Sequence, residues 1–170
     1  MILRPANAAD VPVLATLATD SFVAAFGAMY SPADLAAFLA EYKSPAAIAA
    51  LVDDPVGALQ LAVRDEAPIA FCKIVFAPAW PDHARGGRVG ELKHLYAASS
   101  ATGTGVGTAL MDWAMAEFAA RGCDEVQLSV WSGNHGAQRF YARYGFEKVA
   151  DVTFKVGEQI DEEYLFAKLL

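Results

Sequence analysis

Gly103, Gly105 and Gly107 alternate between a β-rich run that ends at Ala97 and a helical pattern that begins at Val106. Glycine lets the chain turn sharply and lets N–H groups approach a phosphate with no Cβ in the way, and a helix start adds the positive end of its dipole. The stretch therefore reads as a diphosphate cradle or as a plain tight turn. Two nucleotide motifs fail on it. The Walker A loop needs Gly-Lys-Ser/Thr and no lysine is present. The dinucleotide fingerprint, counted from Gly103, puts Thr108 where its last glycine belongs, although Glu125 follows at about the right distance. No other constellation competes. His83, His94 and His135 lack metal-ligand spacing with carboxylates or thiols, so no metal is expected. His135 has no Ser or Cys elbow, which removes a hydrolytic triad. Cys72 and Cys123 stand apart and read as inert thiols.

A cradle of this kind needs a strand before it and a helix behind it, and the pattern supplies both. Val89 to Ala97 predicts a strand after the turn-rich Pro78 to Gly87. Val106, Leu110, Trp113, Ala114 and Phe118 line one side of a helix over Val106 to Arg121, with Gly122 as its stop. Val126, Leu128 and Val130 alternate in a strand that reaches Trp131. Ala137, Phe140, Tyr141 and Tyr144 fall at i, i+3, i+4 and i+7, which predicts a helix over 135–144 ended by Gly145. Upstream, Ile2 to Arg4 predicts a short strand ended by Pro5, and Asn7 or Asp10 caps a helix carrying Val11, Leu14, Leu17, Ala18, Phe22 and Phe26. Ser31-Pro32 and Ser44-Pro45 each open a further helix, the first running through Glu41. Leu59 to Val63 and Pro68 to Phe76 read as strands joined by Arg64-Asp65-Glu66. Val149 to Val156 and Tyr164 to Leu169 close the chain. This order predicts one α+β domain over 1–170, with a mixed, mostly antiparallel central sheet flanked by helices. Strict alternation along 89–97 turns His94 away from Glu91, into a structural place.

Composition narrows the partners. The 170 residues are 55% apolar and 19% charged, which excludes a disordered chain, and 13 Lys+Arg against 20 Asp+Glu give a net charge of −7. With no dense basic block, nucleic acid is not expected as a partner, and Trp80, Trp113 and Trp131 read as core or pocket walls. Asp10, Asp20 and Asp34 interrupt the apolar N-terminal region, so no membrane span is expected, and Met1 leads directly into a strand without a secretion signal. A cytoplasmic protein is the expectation. The acidic cluster Glu158, Asp161, Glu162 and Glu163 reads as a solvated turn, with attraction of a polycation as the alternative. Phe22, Phe26 and Tyr30, if exposed, would support a homodimer.

The second informative stretch runs Asn134-His-Gly-Ala-Gln-Arg-Phe-Tyr-Ala-Arg-Tyr-Gly-Phe146. Here the chain resembles the GNAT superfamily of acetyl-CoA-dependent N-acetyltransferases. Its signature Asn-x-x-Ala-x-x-Phe-Tyr-x-x-x-Gly-Phe is matched at Asn134, Ala137, Phe140, Tyr141, Gly145 and Phe146. Its diphosphate loop, (Gln or Arg)-x-x-Gly-x-(Gly or Ala), is similar to Thr102-Gly103-Thr104-Gly105-Val106-Gly107, followed by Thr108. Thr102 departs from the family's Gln or Arg, which weakens or re-aims one phosphate contact while the backbone donors remain. The match is close over residues 88 to 150, and the order of elements extends it. Phe22 to Leu39 and Phe154 to Lys168 further resemble the bacterial branch that includes spermidine/spermine acetyltransferases.

The resemblance implies a GNAT-like fold, acetyl-CoA as co-substrate and no metal. It also implies transfer of acetyl to a primary amine of a small molecule, a polyamine among them. Acetylation of a peptide or protein amine, a catalytically silent acyl-CoA-binding domain and a nicotinamide oxidoreductase are the alternatives. An alkylammonium with pKa about 10.4 is neutral in about one part in 10³ at pH 7, a handicap of about 4–5 kcal/mol, so a base near the amine helps. The resemblance places Glu91 in that role, directly or through water; otherwise Glu91 pairs with Lys93 or Arg88. Tyr141 takes the role of the acid that protonates the departing thiolate, where helical periodicity alone would make it core, and Tyr144 is the reserve acid. Asn134 caps its helix, touches the CoA chain, or does both. Leu95, Tyr96 and Ala97 look like the segment whose backbone pairs with pantetheine.

Overall fold

The computed structural model describes all 170 residues. Seven strands form one sheet in the order β1-β2-β3-β4-β5-β7-β6. They are β1 Ile2–Pro5, β2 Gly57–Arg64, β3 Ala67–Val75, β4 Val89–Ala97, β5 Glu125–Trp131, β6 Glu147–Val156 and β7 Gln159–Leu169. Every neighbouring pair is antiparallel except β4 with β5. The helices are α1 Val11–Phe26, α2 Pro32–Tyr42, α3 Pro45–Val52, α4 Val106–Ala120 and α5 His135–Arg143. This is the expected mixed sheet flanked by helices, with β6 and β7 longer than the apolar pattern alone predicts.

Local chemistry explains most boundaries. Ser31 and Ser44 accept hydrogen bonds from the backbone N–H groups of Asp34 and Ala47, and Pro32 and Pro45 fill the first helical position, where no N–H is needed. Asn7 caps a short 3₁₀ turn ahead of α1, and Asp10 closes its capping box while pairing with Arg4. The β2–β3 hairpin turns through Asp65 and Glu66, both at positive φ, as a two-residue turn of primed type demands.

Two cores sandwich the sheet. On one face Leu110, Met111, Ala114 and Phe118 of α4 pack on Cys72, Ile74, Leu92 and Leu128. On the other, Leu14, Leu17 and Ala18 of α1 and Ile48 of α3 pack on Leu59, Leu61 and Phe71, and Phe22, Phe38 and Val156 form an aromatic extension. The helical run Ala8–Met29 is long and apolar enough to cross a membrane by length and composition. Here its Leu14, Ala18 and Phe22 are spent on these cores.

Candidate active site

The sheet opens where its one parallel pair runs out. Strands β4 and β5 are paired only from Val89–Glu91 to Glu125–Gln127, after which β5 follows β7 and the far half of β4 has no neighbour on that side. The pairing of β4 with β3 shows why the strands part. Leu92 lies opposite Ile74 and His94 opposite Lys73, so Lys93 is an extra residue, and a bulge of this kind bends and twists its strand. Just before the bulge, Gly90 lets α4 close down on the strand, since a Cβ there would collide with the Phe118 ring. The gap opens into a cavity of about 610 Å³. Gln127, fully buried, clamps the preceding loop by accepting from the Trp80 N–H and donating to the Trp80 carbonyl, which holds that indole at the cavity wall.

At the end of β4 the chain enters the glycine loop. Gly103 and Gly105 adopt φ of +78° and +85°, and a Cβ at either would meet nothing within 4 Å, so these glycines serve the backbone turn and leave its outer side open. Gly105 is the N-cap of α4 and supplies no capping side chain. The N–H groups of Gly103, Gly105, Val106, Gly107 and Thr108 accordingly find no acceptor in the chain, whereas those of Thr102 and Thr104 bond back to Ser99 and Ala101. Five unpaired donors around a helix start fit a diphosphate. The Thr102 hydroxyl is turned back to the Ala98 carbonyl, while Arg64 from the β2–β3 hairpin brings a guanidinium nitrogen to 3.5 Å from the Thr104 hydroxyl. Phe140 stands beside Gly107. Leu95, Tyr96 and Ala97 lie on the part of β4 whose β5 side is unpaired, so an extended chain could add there.

Glu91 and Tyr141 both line the cavity. Glu91 forms no ion pair with Lys93 or Arg88; Arg88 is held by the Arg121 carbonyl and Asp124. Burial raises the Glu91 pKa, against a smaller opposing effect of Lys93. Tyr141 packs with Phe140 and Phe146 on the α4 face, and burial raises its phenol too. The Asn134 side chain caps α5 by accepting from the Ala137 N–H and also reaches the cavity wall.

Several expectations need correction. His94 does not turn away from Glu91: the extra residue at Lys93 shifts the alternation by one, so both line the cavity. His94 stacks edge-on against Phe71 and Tyr96, its Nδ1 has no partner, and burial drives its pKa well below the usual value. Tyr144 is no free acid, because its hydroxyl donates to Asp112 at 2.7 Å outside the cavity. Of the acidic cluster, only Glu158 lies in the exposed β6–β7 turn, whereas Asp161, Glu162 and Glu163 belong to β7. Its alternation sends Glu162 outward and brings Asp161 and Glu163 to the cavity, where Asp161 accepts from the Tyr30 hydroxyl and Gln159, and burial raises the Glu163 pKa. Phe22 is buried, and Phe26 and Tyr30 stack on it as cavity wall instead of forming an exposed patch.

Sequence reasoning missed Lys43. It follows α2, is 4% exposed, and holds its ammonium 4.8 Å from the Tyr96 ring centroid and 5.7 Å from those of Phe22 and Phe38. Its pKa is lowered to about 8 by burial. The available signal was the aromatic spacing Phe22, Phe26, Tyr30 and Phe38, which marks a cavity wall once α1 and α2 pack together.

Residues 16–146 match the model of the acetyltransferase (GNAT) family. An uncharacterized N-acetyltransferase of Mycobacterium tuberculosis is 31% identical over 162 residues, 95% of this chain and 98% of that protein. Among solved structures, the PaiA N-acetyltransferase from Thermoplasma acidophilum, in complex with coenzyme A, superposes with a TM-score of 0.81 at 18% identity, covering 99% of this chain and 98% of its own. A GCN5-related N-acetyltransferase from Rhodopseudomonas palustris gives 0.79 at 21% identity, covering 99% and 95%.

Proposed function

The chain belongs to the GNAT acetyltransferase family, and from that premise we propose that it moves acetyl from acetyl-CoA to the primary amine of a small molecule, by direct attack and without a covalent enzyme intermediate. The observation that carries this is that the unpaired half of β4 runs from a cavity lined by Glu91 and Tyr141 toward the glycine loop. Five unpaired N–H groups stand at the start of α4, and the cavity at the other end of the β4 edge holds a half-buried carboxylate and a half-buried phenol.

In this reading the donors at 103–108 hold the diphosphate, with Arg64 adding a cation near where Thr102 is too short to reach. Leu95 to Ala97 hold the pantetheine arm through the backbone. When bound, the co-substrate supplies a thioester carbonyl to be attacked. Glu91 takes the proton of the incoming ammonium, directly or through water; its raised pKa makes it a better base than a surface carboxylate. Tyr141 keeps its proton at neutral pH and gives it to the departing sulfur. Glu91, Asp161 and Glu163 make the acceptor end attractive to an ammonium, as in a polyamine or another primary amine.

The test is release of free CoA from acetyl-CoA with a panel of polyamines, aminoglycosides, amino acids and peptide N-termini, beside calorimetry with CoA. Binding with turnover on a small amine is expected. Binding with no turnover would point to a silent carrier-binding domain, turnover on peptides alone would move the acceptor class, and no heat with CoA would end the reading.

A further inference from the structure

Lys43 carries a buried charge with nothing in the chain to balance it. No carboxylate lies within ion-pair distance and no acceptor within hydrogen-bond distance, and burial alone sets the direction of its shift. Asp161, the nearby candidate on β7, already accepts from Tyr30 and Gln159. Three aromatic rings attract the ammonium but do not replace an anion. Its place in the fold excludes the diphosphate as its partner. Phe22, Phe38 and Tyr96 belong to the α1–α2 face of the sheet, whereas the helix whose N-terminus offers the free donors covers the opposite face.

We propose that Lys43 is an anion subsite of the acceptor pocket, so that the acceptor is an amine that also carries a carboxylate. The carboxylate rests on the Lys43 ammonium within the aromatic cage, and the amine turns across the cavity toward Glu91 and Glu163. The inference rests on the acetyltransferase reading of the same cavity and narrows its substrate class. Among amines, it favours those with an acidic end and disfavours polyamines, which would press a second cation against Lys43.

The test uses the whole chain, free and loaded with CoA, with phenylacetate as the probe because its carboxylate sits on an apolar ring suited to this wall; phenethylammonium is its cationic counterpart. Calorimetry is expected to show phenylacetate binding to the wild-type protein, weakened by about 30-fold or more in Lys43→Met, the loss typical when one member of a buried charge pair is removed. Lys43→Gln serves as the second variant should Met perturb folding. In turnover, amino carboxylates of increasing length are expected to exceed alkylamines of matched length in kcat/KM, and Lys43→Met to bring the ratio to about one. The subsite is overturned if phenylacetate does not bind, if both variants bind it as wild type does, or if a polyamine or plain alkylamine outruns every carboxylate-bearing acceptor. Failure of the acetyltransferase reading leaves a different trace, no heat with CoA, while phenylacetate binding to the unloaded protein still reads Lys43 by itself.

Discussion

Replacing Lys43 with methionine is expected to stabilise the fold at neutral pH. A fall from 10.5 to about 8 is about 2.5 pKa units, or about 3 kcal/mol of preference for the neutral amine in the folded state. Attraction to the three rings, at 4.8 to 5.7 Å, returns about 1–2 kcal/mol. The net cost of the charge is therefore about 1–2 kcal/mol, and methionine fits the same space without it. The sign of the pH dependence follows from linkage. The folded-state pKa is lowered, so between about 8 and 10.5 the unfolded chain binds the proton more readily, and wild-type stability rises through that window. Below pH 8 the full cost is present. Urea unfolding of wild type and Lys43→Met from pH 7 to pH 10.5 should show the variant ahead at pH 7 and the gap closing as pH rises. A variant less stable at pH 7, or a gap that stays constant, would refute the picture of an unbalanced buried ammonium.

Other outcomes follow from the same geometry. Tyr141→Phe should lower kcat by about 10²-fold or more with the Kd for acetyl-CoA nearly unchanged, as steady-state kinetics beside calorimetry would show; equal losses in both would contradict the acid role. Because burial raises the Glu91 pKa, the acid limb of the kcat/KM profile should lie above pH 4.5, and Glu91→Gln should flatten that limb while lowering activity at pH 7 by about 10²-fold. Glu91→Gln should also keep or gain thermal stability at pH 7, since a carboxyl with a raised folded-state pKa costs stability once it ionises. Arg64→Ala should raise KM for acetyl-CoA about tenfold at low salt, shrinking as salt rises, with kcat unchanged; no effect at low salt would remove Arg64 from the diphosphate site.

The parts of the site that depend on local chemistry were legible in the sequence. Glycines at positive φ, serine and asparagine caps and the period of α4 and α5 are set by residues within a few positions of one another, so the loop, Tyr141 and Asn134 fall where the pattern predicts. Glu91 lies at the last rung of the β4–β5 ladder, which no single-strand pattern reveals. The misplaced residues depend on pairing between distant segments. His94 was misread because one extra residue shifts a period-2 pattern, and only the partner strand shows that Lys93 is extra. Asp161 and Glu163 were read as a solvated turn because acidic residues dominate there, yet extending the alternation backward from Leu165 would have put both on the inner face. Lys43 carries no local signal at all, because its three rings come from α1, α2 and β4, which only the tertiary fold brings around it.

That bulge links the separate features of the site. A strand in regular register would stay beside β5 and leave no gap for an extended ligand, and it would turn His94 to the α4 face. The extra residue gives β4 an unpaired edge directed toward the glycine loop and places Glu91, His94 and Tyr96 along one wall of the cavity. The cost is an interrupted ladder and the His94 Nδ1 left without a partner. Such costs persist where binding needs them, so removing Lys93 should close the gap and restore the ladder, giving a more stable protein that no longer binds CoA. A Lys93 deletion that still binds CoA with wild-type heat would show that the opening is made elsewhere.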